Sequence, residues 1–150
     1  MSAPERRQYC TFLVGELFFG IGVDEVQEVI RHLEITNVPL APPVVRGLIN
    51  LRGQIVTALD MRRRLDLPDL PEGEESMHVV VRADDGAVSL LVDEIGDVVE
   101  VGEDVREPRP VTVTGVAAEL ISSVYKLAGR LLLVLDTDRA IGVHATAGAR

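Results

Sequence analysis

Residues 46–67 read RGLINLRGQIVTALDMRRRLDL, and the rest of the chain can be organised around them. Asn50-Leu51-Arg52-Gly53 joins a turn former, an apolar anchor, a planar cation and a glycine free to take positive φ. Ile55–Leu59 is short, mainly apolar and rich in β-branched residues, the composition of a well-buried strand. Asp60 ends it and can cap one helical turn over Met61–Leu65. The stretch has no catalytic spacing. It is a rigid scaffold that holds an arginine at one end, an arrangement suited to binding another protein.

Toward the N-terminus, Gln8–Val14 and Leu17–Val23 form strands around a Gly15-Glu16 turn. Gly20 and Gly22 mark a bulge or a close backbone approach. Val23, Val26, Val29, Ile30 and Leu33 recur at spacings of three and four, which predicts a short helix over Asp24–Leu33. Asp24 would be its N-cap and Gln27 would complete a capping box. Pro39, Pro42 and Pro43 break the chain after a brief extended segment at Ile35–Val38. Pro43 is placed to open a short helix reaching Leu48.

Toward the C-terminus, Pro68–Ser76 is an acidic, proline-bearing loop. Met77–Ala83 and Ala87–Asp93 flank Asp84-Asp85-Gly86 as a hairpin. Ile95–Val101 is a further strand with a bulge expected at Gly96. Pro108-Arg109-Pro110 interrupts it. Leu120–Leu127 and Arg130–Leu135 make a last hairpin across Ala128-Gly129, and Asp136 caps a terminal turn reaching Ile141. Residues 1–7 and 142–150 read as flexible tails. About nine or ten short strands with no long helix indicate closed β-barrels or a sandwich. The sequence shows no convincing internal repeat.

The 150 residues fit one domain, or two very small ones sharing a core, and 47% hydrophobic composition supports a sizeable core. Aromatics are only 3% with no Trp, so the core is built from Val, Leu and Ile. A net charge of −9 argues against nucleic acid as a partner. Cys10 is the only cysteine, which excludes an internal disulfide and a cysteine zinc cluster. No apolar run suits a signal peptide or a membrane span, so a soluble cytosolic chain is expected.

Gly20-Ile21-Gly22 lacks the third glycine of a dinucleotide fingerprint, and no P-loop or G-x-S-x-G elbow is present. His32, His78 and His144 have no ligand-like spacing and read as ordinary surface or strand-edge residues. Asp60 lacks the acidic pair and the placed lysine of a phosphorylation receiver, and Lys126 is the only lysine. No cofactor and no metal are expected. Two features remain beyond folding. Glu28 and Arg52 are charges beside apolar segments, and one of Val98-Val99 should face outward beside Asp97 and Glu100.

At this point the chain resembles the CheW-like chemotaxis coupling proteins. The likeness is carried by GIGVDEVQEVIR, PPVVRGLINLRGQIVTALDMR, SLLVDEIGDVVEV and RLLLVLDTDRAI, and covers residues 8 to 141 as one domain. Thr57 departs from the proline common in that family. The resemblance implies an all-β fold of two intertwined SH3-like five-stranded barrels sharing an apolar core, with short helices. It implies a non-enzymatic adaptor, in the cytoplasm and recruited to membrane-associated receptor arrays without inserting in the membrane. The partners would be the cytoplasmic helical tip of a methyl-accepting chemoreceptor and the regulatory domain of a CheA-type histidine kinase. The receptor-binding positions implied are Val26, Glu28, Gly47, Arg52 and Val98; no kinase-facing residues follow from the motifs. The alternative is a stand-alone paralogue of the kinase regulatory domain in a non-flagellar pathway. The absence of ATP-binding and phosphotransfer motifs favours the adaptor.

Overall fold

A computed structural model describes residues 5–84 and 86–148, with side chains described as far as residue 142. The strands are β1 (Arg6–Val14), β2 (Leu17–Gly22), β3 (Val26–Ile30), β4 (Val45–Leu51), β5 (Gln54–Asp60), β6 (Met77–Ala83), β7 (Gly86–Val92), β8 (Glu94–Gly102), β9 (Arg106–Glu107), β10 (Ile121–Leu127) and β11 (Arg130–Leu135). The helices are α1 (Met61–Arg64), α2 (Gly115–Leu120) and α3 (Thr137–Gly148). One sheet has the order β8-β1-β2-β11-β10-β9, the other β3-β6-β7-β5-β4.

Each sheet wraps its own apolar interior. Tyr9, Val101, Tyr125, Leu132 and Val134 fill the first. Ile49, Leu51, Val56, Ala58, Val80 and Leu91 fill the second. The largest cluster includes Phe12, Phe19, Ile21, Leu59, Leu90 and Leu133 and draws on both sheets, which joins the two units through one core. These are the two barrels with a shared core that the family resemblance implies. The first sheet carries a sixth strand, the two-residue β9, where five were expected. In the second sheet the matching position is the bridge between Thr36 and Leu48, whose two backbone hydrogen bonds are both 2.8 Å. That bridge returns the chain after β3 to β4, drawing the sheet's two edges together.

The order of pairings is repeated along the chain. In the first half β1 and β2 form a hairpin, β3 follows, and β4 and β5 form a second hairpin that runs into α1. In the second half β6 and β7, then β8, then β10 and β11 running into α3 do the same. Val23-Asp24-Glu25-Val26 matches Val92-Asp93-Glu94-Ile95, and Leu59-Asp60 before α1 matches Leu135-Asp136 before α3. Both aspartates accept the backbone N–H three residues on, from Arg63 and Arg139. The two hairpins that end in these caps slip register at matching places, between Val45 and Gly47 and between Ile121 and Ser123. The repeat not evident in the sequence is therefore present in the structure. Its halves are exchanged: hairpin β1–β2 lies in the sheet of β8–β11, and hairpin β6–β7 in the sheet of β3–β5.

Several local expectations change. Residues 24–33 are not a helix: a 3-10 turn at Val23–Glu25 leads into β3, and no side chain caps that turn. The spacing of three that suggested a helix comes from a bulge. Val26 and Val29 pair with Val81 and Val79, so the extra residue on β3 puts Val26 and Val29 on one face. The segment after Pro43 is β4 rather than a helix. Ordered structure also extends past the expected bounds, because β1 starts at Arg6 and α3 runs to Gly148. Helix α2 was not anticipated. The bulge expected at Gly96 is present, with Ile95 and Val98 opposite Phe12 and Cys10.

The cationic turn after β5 is a set of internal staples. Asp60, 5% exposed, caps α1 through the Arg63 N–H and pairs with Arg46 at 3.2 Å. Arg62 forks onto Asp93 with bonds of 2.8 and 2.7 Å and also donates to the Pro68 carbonyl. Arg63 reaches Asp69, and Arg64 donates to the carbonyls of Ala140 and Arg139 in α3. Arg62 and Arg64 tie the two halves together. Arg52 has a different position.

Candidate functional site

Arg52 occupies the two-residue turn between β4 and β5. Its φ is +52 and that of Gly53 is +90, the left-handed pair that suits the twist of a tight hairpin. Asn50 Oδ1 accepts the Gly53 N–H at 2.8 Å and fixes the turn. Across the barrel mouth, Glu28 lies opposite Val80, whose side chain is in the second barrel's interior. Glu28 therefore points to the rim of that interior. Arg52 Nη1 donates to Glu28 Oε1 at 3.0 Å, and Nη2 donates to Oε2. The fork links the hairpin turn to the edge strand β3, and its bonds to Arg52 hold the Glu28 carboxyl below the usual carboxylate range. The Arg52 side chain is 71% exposed and that of Glu28 22%. A guanidinium has five N–H donors. The fork to Glu28 uses two, so the others face outward from a fixed plane.

Beside this clasp are exposed apolar side chains. Val26, Val81, Val88 and Thr57 are partners in register across β3, β6, β7 and β5, on the face away from the second barrel's interior, where Val81 and Val88 are buried in the shared core. Val29, on the same face of β3, is 45% exposed, and Ile55, two residues before Thr57 on β5, is 62% exposed. The sequence reading missed both. Val29 was hidden by the helical reading, and Ile55 by the assumption that its strand was buried throughout. Thr57 sits mid-strand, paired with Leu48 on one side and Val88 on the other.

The five sequence-derived positions separate into three places. Val26, Glu28 and Arg52 belong to the second barrel, and the last two are in direct contact. Val98 is on β8 in the other sheet, opposite Cys10 and 55% exposed, while Val99 packs inward toward Tyr9 and Tyr125. Gly47 is buried on β4. A Cβ there would lie 2.2 Å from the Thr36 carbonyl oxygen and 2.8 Å from Ile35 Cγ2. The chain's own segment fills the space expected to be crowded for a partner, so Gly47 acts by letting Thr36 bridge to Leu48.

The histidines also separate. His32 contacts exposed Glu75 at 3.0 Å. His78 is not at the surface: it is 1% exposed, its Nδ1 lies 3.1 Å from Ser89 Oγ, and burial holds its pKa below the usual range. The side chain of His144 lies outside the described residues. Among the described residues no group of three or more His, Cys, Asp or Glu is arranged to hold a metal ion. A polar cleft of about 920 Å³ is lined by Arg6, Asp24, Glu25, Glu100 and Asp136, and does not include the clasp.

The structure thus combines two fused β-barrels with an arginine–glutamate clasp at the rim of one of them. The CheW-like domain model matches residues 8–143, and the chain belongs to that family. It is 33% identical over 140 residues to the chemotaxis protein CheW of Treponema pallidum, covering 90% of this chain and 82% of that protein. It is 30% identical over 138 residues to CheW of Bacillus subtilis, covering 92% and 88%. The crystal structure of the scaffolding protein TtCheW from Thermoanaerobacter tengcongensis superposes with a TM-score of 0.77 at 25% identity, covering 89% of this chain and 90% of that one.

Proposed function

We propose that this chain is a non-enzymatic adaptor of chemotaxis signalling that couples the helical cytoplasmic tip of a chemoreceptor to the regulatory domain of a CheA-type histidine kinase. The observation that carries the reading is the Glu28–Arg52 fork, an oriented and largely exposed guanidinium beside the apolar side chains of Val26, Val29 and Ile55. Helix-in-groove recognition uses this combination of apolar anchors and a few orienting polar groups. Val26 and Val29 supply the anchors. Arg52 supplies directional donors to helix carbonyls or carboxylates. Gly47 holds the supporting backbone, and Val98 adds a contact from the other barrel. Membership of the CheW-like family and the likeness to chemotaxis proteins support the role. No described helix is long and apolar enough to cross a membrane, so recruitment to the membrane follows from receptor binding.

A reconstitution tests this. Purified chain is mixed with receptor-bearing vesicles and a CheA-type kinase, and sedimentation is followed together with kinase activity. The kinase should sediment only when the adaptor is present. Kinase that sediments equally without the chain, or an adaptor that binds neither partner, refutes the role.

A further inference from the structure

Every barrel in this molecule is built from both halves of the chain. Four ladders join the halves: β1 with β8, β2 with β11, β3 with β6 and β5 with β7. Within a half, strands pair only as β1–β2 and β4–β5, or as β6–β7 and β9–β10–β11. Neither half can close a barrel alone. The Arg62–Asp93 fork and the Arg64 bonds to Arg139 and Ala140 also run between halves. The covalent link between them, after α1, is residues 65–76. From Pro68 onward this link has no helix or strand and is mostly exposed. Beyond the Arg62 bond to the Pro68 carbonyl, the contacts holding it are the surface pairs Arg63–Asp69 and His32–Glu75 and one turn bond from Glu74 to Pro71.

We propose that a second copy of this chain is a partner by reciprocal exchange of halves, with β1–α1 of one copy completing β6–α3 of the other. All four ladders, the shared core, the Arg62–Asp93 fork and the Arg64 bonds to α3 form as before, because each new unit still contains one first half and one second half. Only the path of residues 68–76 and the entropy of association differ. Nine extended residues reach about 30 Å, and a 150-residue domain has a radius of gyration of about 15 Å. The segment therefore spans from one unit to an abutting one. A short flexible link gives the halves of one chain an effective concentration in the millimolar range. The closed monomer dominates at micromolar concentration, and exchange appears when chains refold at millimolar concentration. An exchanged dimer carries two Glu28–Arg52 clasps on one particle.

The register supplies a reporter. Cys10 on β1 lies directly opposite Val98 on β8, and these strands belong to different halves. One full-length chain carries Cys10→Ser with Val98→Cys, and the wild-type chain supplies Cys10. A disulfide between Cys10 of the wild-type chain and the thiol introduced at position 98 of the other is favoured when the first half of one chain sits in the other, because the two positions are then strand partners. The two are either co-unfolded and refolded together or mixed in the native state, across the same concentration series, then oxidised with glutathione disulfide and mapped by peptide mass spectrometry. The cross-chain disulfide is expected in clearly higher yield after co-refolding than after native mixing at the same concentration, and equal yields overturn the proposal. The ratio of dimer to monomer should rise about tenfold per tenfold increase in concentration, as mass action requires for association. In a single chain bearing Cys10 and Val98→Cys, the disulfide is expected to close internally. Internal closure with no cross-chain product at any concentration overturns the proposal. Failure of internal closure also overturns it, by removing the register on which it rests.

Discussion

Replacing Gly47 with alanine tests how the second barrel closes. The added Cβ would meet the Thr36 carbonyl oxygen at 2.2 Å and Ile35 Cγ2 at 2.8 Å, where φ is +155. Relief requires the Ile35–Thr36 segment to move, which breaks the pair of 2.8 Å hydrogen bonds between Thr36 and Leu48. Each such bond contributes about 0.5–1.5 kcal/mol, and the backbone strain adds about 1–3 kcal/mol. The total is roughly 2–6 kcal/mol, a large share of the 5–15 kcal/mol typical of a domain. For a chain of this size it lowers the melting temperature by roughly 4–24 °C. Gly53→Ala is the control. It also has positive φ, at +90, but nothing lies within 4 Å of its Cβ position, so only the left-handed strain of about 1–2 kcal/mol applies. Thermal melts of both variants should place Gly47→Ala clearly below Gly53→Ala. If Gly47→Ala melts at or above the control, the packing against Thr36 does not close the barrel.

Other outcomes follow from the staples and the buried histidine. Asp93→Ala removes the partner of Arg62 and the acceptor of the Gly15 N–H, bonded at 2.7 Å. It should cost about 2–4 kcal/mol in denaturant unfolding. Burial raises the Asp93 pKa, but its bonds to Arg62 and Gly15 together outweigh this, so the carboxyl titrates below its usual range. Its stabilisation is therefore present above about pH 4, the unfolded aspartate value, and is lost as pH falls through the lower folded value. For His78 the sign is opposite in cause: burial lowers its pKa, so the unfolded chain binds the proton more readily. Stability should fall as pH drops below about 6.5, and melts between pH 7 and pH 5 should show a smaller decline in His78→Gln.

Much of the architecture could be read directly from residues. Asp60 as a cap, the turns at Gly15-Glu16 and Ala128-Gly129, and the outward turn of one of Val98-Val99 follow from local chemistry that tertiary packing did not override. The helical misreading has a local cause. A bulge on β3 gives strand residues the i, i+3 spacing of a helix, so periodicity alone assigned residues 24–33 to the wrong element. That error also turned Val29 toward a core it does not join. Gly47 looked like a surface position because the Thr36 bridge joins residues far apart in local pattern. The duplication was hidden because each half completes the other's barrel, leaving few positions under the same packing constraint. The fork between Glu28 and Arg52 was legible only as two unexplained charges, since their approach depends on the barrel closing.

The adaptor role turns on Arg52, and one comparison tests it most directly: receptor-tip affinity, kinase-domain affinity and melting temperature measured on wild type, Arg52→Ala and Arg52→Lys. The side chain is 71% exposed, so losing its ion pair costs little stability. Arg52→Ala should weaken receptor-tip binding by about one to two decades, equivalent to roughly 1–3 kcal/mol. The kinase affinity should be nearly unchanged and the melt shifted by only a few degrees. Arg52→Lys should recover binding only in part, because an ammonium lacks the planar fork. Parallel loss of both affinities with a strongly lowered melting temperature would contradict this role and make the Glu28–Arg52 clasp a fastening of the barrel alone.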